Sequence, residues 1–330
     1  MSAPSSEPGS SAQDSSEPGS PSRRRVVLIT GASHGVGLAL AQRLAACGRY
    51  RLALSARPSS LERLVEAGFA PSDDICLVPL DVAAADSREA AIEAIAQRWG
   101  GVDVLVNNAG VMMRAVLEHV SDADHLTQML VNYGGPMALT RLVLPGMRER
   151  RWGRIINVSS VGGMMAMPTM SVYSASKFAL EGASEALFYE VRPWNIRVSL
   201  VQPGFIRSDA IERIAYTSRS RAAQEHHLSP YHAHYHFMAA FIAKLMARAP
   251  ATPDSVARRI AKLIEQRRPP LRVSATLDAF LFSLLRRWLP RSLYHEVLYR
   301  ALPGISRWGR PPAALPASST AARDATSAER

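Results

Sequence analysis

The stretch that most limits what this chain can fold into is Thr30-Gly31-Ala32-Ser33-His34-Gly35-Val36-Gly37. It follows a short apolar run at 25–29 and precedes a segment, 38–47, whose apolar residues recur at helical spacing. A buried strand that breaks into glycines and then becomes a helix calls for a parallel β–α unit. Without side chains at Gly31, Gly35 and Gly37, another group can approach the backbone at the helix N-terminus, where unpaired N–H groups favour an anion such as a pyrophosphate. The spacing also suits a tight β–α turn with no ligand, and alone it leaves both readings open.

The rest of the chain repeats the alternation. Strand-like runs at 51–56, 75–80, 102–106, 154–158, 196–201 and 271–274 are separated by helical patterns at 87–99, 121–149 and 253–266. This predicts an α/β fold, a doubly wound parallel sheet with helices on both faces, over residues 23–275. A chain of 330 residues, 47% of them hydrophobic, has ample core for one such domain. Residues 1–22, rich in Ser, Pro and Gly, and 309–330 read as disordered tails. The first tail has no apolar stretch like a secretory signal, and no segment reaches the ~20 apolar residues of a membrane span. Cys47 and Cys76 sit among apolar residues and read as core positions in a reducing compartment, which points to the cytoplasm. The net charge of +11 suits an anionic cofactor or an anionic membrane surface. Nucleic acid is disfavoured, because the main domain has no basic run interleaved with aromatics.

Chemistry concentrates between 160 and 177. Tyr173 and Lys177 are four apart and share a face on a helix. An ammonium about 4 Å from a phenol, at an effective dielectric near 20, is worth on the order of 4 kcal/mol. That is enough to draw a tyrosine down from about 10 toward neutral pH, before desolvation takes some back. Ser160 follows the 154–158 strand, thirteen residues before Tyr173, and its hydroxyl can polarise a carbonyl that Tyr173 protonates.

Ser160-x12-Tyr173-x3-Lys177, together with TGASHGVG at 30–37 and Asn107-Asn108-Ala109-Gly110, resembles the short-chain dehydrogenase/reductase family over about residues 25–275. The resemblance implies a Rossmann fold. It also implies Asn132 as a fourth active-site residue, linked through water to Lys177. Asp81 and Val82 would lie beside an adenine, although Asp81 equally suits a turn cap. Asn108, Ala109 and Gly110 would adjoin the cofactor, while Asn107 would stabilise the sheet. Pro203, Gly204, Ile206 and Ser208 would border the nicotinamide, with Ser208 where relatives often carry threonine. Ser33 and Val36 belong to the glycine turn, and Lys177 would also bind the nicotinamide ribose. The implied activity is interconversion of a carbonyl and an alcohol.

The strand at 51–56 ends without the Asp or Glu that would accept from ribose hydroxyls. Arg57 stands there instead and can pair with a 2′-phosphate, which points to NADP(H) rather than NAD. His34 either assists or is an ordinary turn residue. Met164, Met165, Met167 and Met170 form either a soft apolar wall or plain core, and hint at a lipophilic substrate such as a steroid, retinoid or long-chain ketone. The pattern loosens from 209 to 250, where a lid over the substrate is expected. His232, His234 and His236 there would share a face only on a strand, so an aromatic lid surface is preferred to a metal site. Residues 276–308 read as an amphipathic extension of two helices split at Pro290, with arginines, Trp288 and Trp308 among apolar residues. Such helices can lie on an anionic membrane, pack on the domain or meet a second copy in a homo-oligomer. Two further readings stay open: a non-catalytic nucleotide-sensing or scaffold protein on the same fold, and an NAD-dependent alcohol dehydrogenase.

Overall fold

The structure, a computed structural model, describes residues 23–208 and 213–310. The tails read at 1–22 and beyond 310 lie outside the described residues. The first half of the chain runs β1 (Arg25–Ile29), α1 (Gly35–Cys47), β2 (Tyr50–Ala56), α2 (Glu62–Glu66), β3 (Ile75–Pro79), α3 (Ala85–Trp99) and β4 (Val104–Asn107). Then come α4 (Asp122–Met129), α5 (Gly135–Glu149), β5 (Gly153–Val158), α6 (Ser171–Val191) and β6 (Ile196–Gln202). After the expected lid, α7 (Ser218–Glu225) and α8 (His232–Arg248), follow α9 (Pro253–Glu265), β7 (Arg272–Ser274), α10 (Leu277–Trp288) and α11 (Arg291–Arg300).

The strands form one seven-stranded sheet in the order β3-β2-β1-β4-β5-β6-β7, and every pairing between them is parallel. Side chains alternate across it. Val27 and Ile29 of β1 face α1 and α9, while Val26 and Leu28 face the core shared with α3, α5 and α6. Both faces are buried, as the nearly unbroken apolar strands require. Successive crossovers reverse direction between β1 and β4. That leaves a crevice at the carboxyl ends of these strands, the place where open parallel sheets take ligands.

Two differences from the sequence reading have simple causes. Cys47, read as core, is exposed: it is the last residue of α1, and the chain turns outward at Gly48 with φ of 63°. The loosened stretch after β6 contains two helices, and helicity separates His232, His234 and His236. His232 stacks on His236 one turn away, while His234 lies against Trp308 with ring centroids 4.2 Å apart.

Candidate active site

One crevice of about 620 Å³ runs from the glycine turn to the methionines. At its first end the backbone is shaped for close approach. Gly31 holds φ of 65°, and a Cβ there would sit 2.9 Å from Ala109 Cα. A Cβ on Gly37 would meet the Gly31 carbonyl at 2.3 Å, so this glycine lies behind the wall and seats α1 on the turn. Gly35 has φ of 55° and open space beside it. Gly35 and Val36 open α1, which has no acidic residue in its first turn. Its free N–H groups and positive dipole end therefore face the crevice uncompensated. Ser33 Oγ shares a 3.0 Å hydrogen bond with His34 Nδ1. Asn108 clamps the turn, donating from Nδ2 to the carbonyls of Thr30 at 3.0 Å and Gly31 at 3.1 Å. Thr30 Oγ1 accepts from the N–H groups of Asn108 and Ala109, both at 3.0 Å.

Arg57 borders this end and is exposed, joined by Ser60 and by Arg63 of α2. Two arginines and a hydroxyl with no carboxylate among them suit a phosphate monoester. Asp81 and Val82 line the crevice further along. Asp81 Oδ1 accepts from Ala83 N at 2.9 Å, so its carboxylate caps the turn while bordering the crevice. Asn107 does not reach the crevice. Its Nδ2 donates to Asn157 Oδ1 at 2.8 Å, which ties β4 to β5. These residues fit a phosphorylated dinucleotide on three independent grounds: a backbone cradle that a Cβ would fill, an uncompensated helix N-terminus and a paired-arginine corner.

At the other end stand Ser160 and Tyr173. Ser160 lies two residues beyond β5 in extended backbone, its Oγ accepting from Gly162 N at 3.0 Å. Tyr173, in the first turn of α6, shares a hydrogen bond with Ser160. Gly162 makes that possible, since a Cβ there would stand 2.9 Å from the tyrosine ring. Lys177 lies buried behind Tyr173 and donates from Nζ to the Val158 carbonyl at 2.9 Å. Asn132 sits in a π-helical turn, Leu130–Gly134, between α4 and α5. Such turns displace a side chain from regular helical register and recur at functional sites. Its Oδ1 accepts from Val111 N at 2.9 Å, and its Nδ2 donates to Val111 O at 2.9 Å and Ser176 Oγ at 3.0 Å. Gly110 lies against both Asn132 Oδ1 and Lys177 Nζ, so this glycine lets the two groups approach one another.

The electrostatics reverse one expectation. Burial pushes the Tyr173 hydroxyl above the ordinary tyrosine value, and the Ser160 hydrogen bond opposes that rise only in part. Lys177 sits desolvated behind it, its ammonium turned onto Val158 O. Burial draws Lys177 down to about 8, against the opposing pull of Glu181. Tyr173 therefore keeps its proton at neutral pH, poised as a donor.

Glu181, one turn beyond Lys177, was not singled out in the sequence. Its buried carboxylate accepts from Ser159 Oγ at 2.8 Å and from Gln202 Nε2 at 2.8 and 2.9 Å. It therefore joins the ends of β5 and β6 beneath Ser160 and Pro203. The signal was present: 173, 177 and 181 are successive i, i+4 positions on one helix face. Ser60 and Arg63 were missed as well, their only signal being nearness to Arg57 in sequence.

Pro203, Gly204, Ile206 and Ser208 border the crevice beyond the serine. Opposite them the wall is apolar, built from Met112, Met167 and Met170, with Ile242 and Met246 of α8. The stretch after β6 is fastened to the loop after β4. Tyr235 Oη accepts from Val116 N at 2.9 Å, and Arg114 N donates to Ala215 O at 2.8 Å. The extension closes the outer side: Phe282, Leu285 and Tyr294 pack on Met164 and Met165.

A nucleotide-shaped cradle leading to a proton-donating phenol defines an oxidoreductase of the doubly wound class. The profile of the short chain dehydrogenase family matches residues 25–218. A 3-ketodihydrosphingosine reductase from Bacteroides thetaiotaomicron is 34% identical over 83% of this chain and 96% of its own length. Human retinol dehydrogenase 8 is 35% identical over 75% of this chain and 80% of its own. A metagenomic short-chain oxidoreductase solved in complex with NADP superposes with a TM-score of 0.57 at 27% identity, covering 76% of this chain and 96% of that one. The chain belongs to the short-chain dehydrogenase family.

Proposed function

We propose that the protein is an NADP(H)-dependent oxidoreductase that reduces the carbonyl of a lipophilic substrate, of the steroid, retinoid or long-chain ketone kind. When bound, the cofactor supplies the hydride. Gly31, Gly35 and Val36 take its pyrophosphate at the α1 N-terminus, while Arg57 and Arg63 take the 2′-phosphate. Ser160 holds the carbonyl oxygen, and Tyr173 gives it a proton. Lys177 offsets the charge left on the phenolic oxygen, and Asn132 orders the backbone at Val111 and the Ser176 hydroxyl beside it. The apolar walls exclude water and seat the hydrocarbon part of the substrate.

The observation that carries this reading is the shared crevice, with Arg57 at one end and a protonated Tyr173 at the other. The lipophilic substrate is supported by the methionine wall and by the two relatives, one named for a ketosphingoid base and the other for retinol. The non-catalytic reading is disfavoured, since nucleotide binding alone does not need Ser160, Tyr173, Lys177 and Asn132 together. Following NADPH absorbance with a panel of long-chain, steroid and retinoid carbonyls tests the proposal. Oxidation of NADPH with at least one apolar ketone or aldehyde is expected, and tight NADPH binding with no turnover on any of them overturns it. Equal affinity for NADH would favour the NAD-dependent alternative.

A further inference from the structure

The C-terminal helices are apolar on more than one side. Phe282 and Leu285 of α10, Leu289 just after it, and Tyr294 and Leu298 of α11 pack inward on Val161 and the methionines. A second set, Leu277, Leu281, Leu284 and Trp288, recurs at i, i+4, i+7 and i+11 and forms one stripe. Leu277 is 66% exposed, Leu281 55%, Trp288 74%, and the flanking Phe280 49%. Nothing in packing the helix onto the domain calls for this stripe, and exposed apolar patches of such extent mark contact surfaces.

Charge indicates what covers it. Residues 277–310 carry six arginines and two carboxylates. Both carboxylates are engaged: Glu296 with Arg300 at 2.8 Å, and Asp278 accepting from Phe205 N at 2.8 Å. The Arg287 guanidinium lies over the Trp288 ring and that of Arg286 over Phe178, so charge borders the apolar surface. Among the described residues no helix is long and apolar enough to cross a membrane. A second copy fits poorly, because a two-fold contact through this face would set arginine-rich surfaces against each other.

We propose that the exposed face of α10 docks on an anionic phospholipid bilayer, with Leu277, Leu281 and Trp288 at the acyl boundary and the arginines at the phosphates. The inner side of the same helices packs on Met164 and Met165, and Met167 continues that cluster into the crevice. Docking therefore brings the substrate end close to lipid. For that consequence alone the inference rests on the proposed function, which it deepens by naming the phase from which an apolar substrate is drawn.

The test is flotation of the full chain with vesicles of equimolar phosphatidylcholine and phosphatidylglycerol, comparing wild type with the double variant Leu281→Glu/Trp288→Glu. Both positions are exposed, so folding should survive, and NADPH binding by the variant checks that it does. Wild type is expected to float, and the variant to float roughly tenfold less, as would wild type on pure phosphatidylcholine. Trp288 fluorescence should shift to the blue on vesicles, a signal absent from Trp288→Phe. Wild type remaining unbound, or equal flotation of the double variant, overturns the proposal. So does a concentration-dependent dimer that Leu281→Glu abolishes, which would assign the face to a second copy. The Tyr173→Phe protein should float like wild type, so failure of the catalytic reading and failure of docking are separable.

Discussion

The two ends of the crevice are built differently. The nucleotide end is made of backbone: positive-φ glycines, a helix N-terminus, and a threonine and an asparagine that clamp the turn. Its turn is a short run of sequence, 30–37, pinned by Asn108 just after β4. The substrate end is made of side chains, with Met112, Met167, Ile242 and Met246 arriving from three separate stretches of chain. A backbone cradle suits a ligand that never changes. A wall of flexible thioethers can adapt to one that does. On the proposed function, the first end recognises charge at fixed positions, while the second recognises hydrophobic volume.

Substitutions can separate the ends. The largest effect belongs to the Ser160–Tyr173 pair. Tyr173→Phe removes the proton donor and is expected to lower kcat by about a thousandfold, the scale of general acid catalysis, with NADPH affinity nearly unchanged by fluorescence titration. Loss of NADPH binding in that variant would mean the ends are one cooperative unit. Next is Arg57→Ala, expected to weaken NADPH about tenfold, as for a charge-assisted contact at an exposed position, while leaving NADH and substrate KM alone. A change in substrate KM would break the division. Met167→Ala should do the opposite, raising KM for a long-chain ketone several-fold through lost apolar contact, with no change in NADPH affinity.

The smallest effect, and the sharpest, is on pH. Lys177 is near 8 in the free protein, and the negative charge of Glu181 holds it up against burial. Above that pH the lysine loses its charge and can no longer offset the phenolate, so kcat/KM for reduction falls. Glu181→Gln removes the opposing pull, so the alkaline limb should move to lower pH while affinities at both ends stay near wild type. A limb that does not move would assign it to another group.

This division also explains what could be read in advance. Backbone demands leave marks in sequence, because a Cβ at Gly31 would crowd Ala109 and one at Gly37 would collide with Gly31 O. Helical spacing likewise brought Tyr173 and Lys177 together. Ser60 and Arg63 left no such mark, since an exposed arginine on a short helix looks like any other. The substrate wall was hinted at by one methionine cluster, but Ile242 and Met246 joined it only through the packing of α8. Two readings went astray for want of solvent. Cys47 has apolar neighbours in sequence yet faces water at a helix end. The tyrosine argument let desolvation take back only part of the effect of a nearby charge, and burial outweighs it.

The brace at Gly204 carries a consequence for how the protein is made. Gly204 N donates to Thr276 Oγ1 at 2.8 Å and Phe205 N to Asp278 Oδ2 at 2.8 Å, so a turn bordering the crevice is held by residues more than seventy positions later. A nascent chain still short of Thr276 already carries Ser160, Tyr173 and Lys177 but lacks this brace. Translation must therefore run past Asp278 before the turn at Gly204 can be braced.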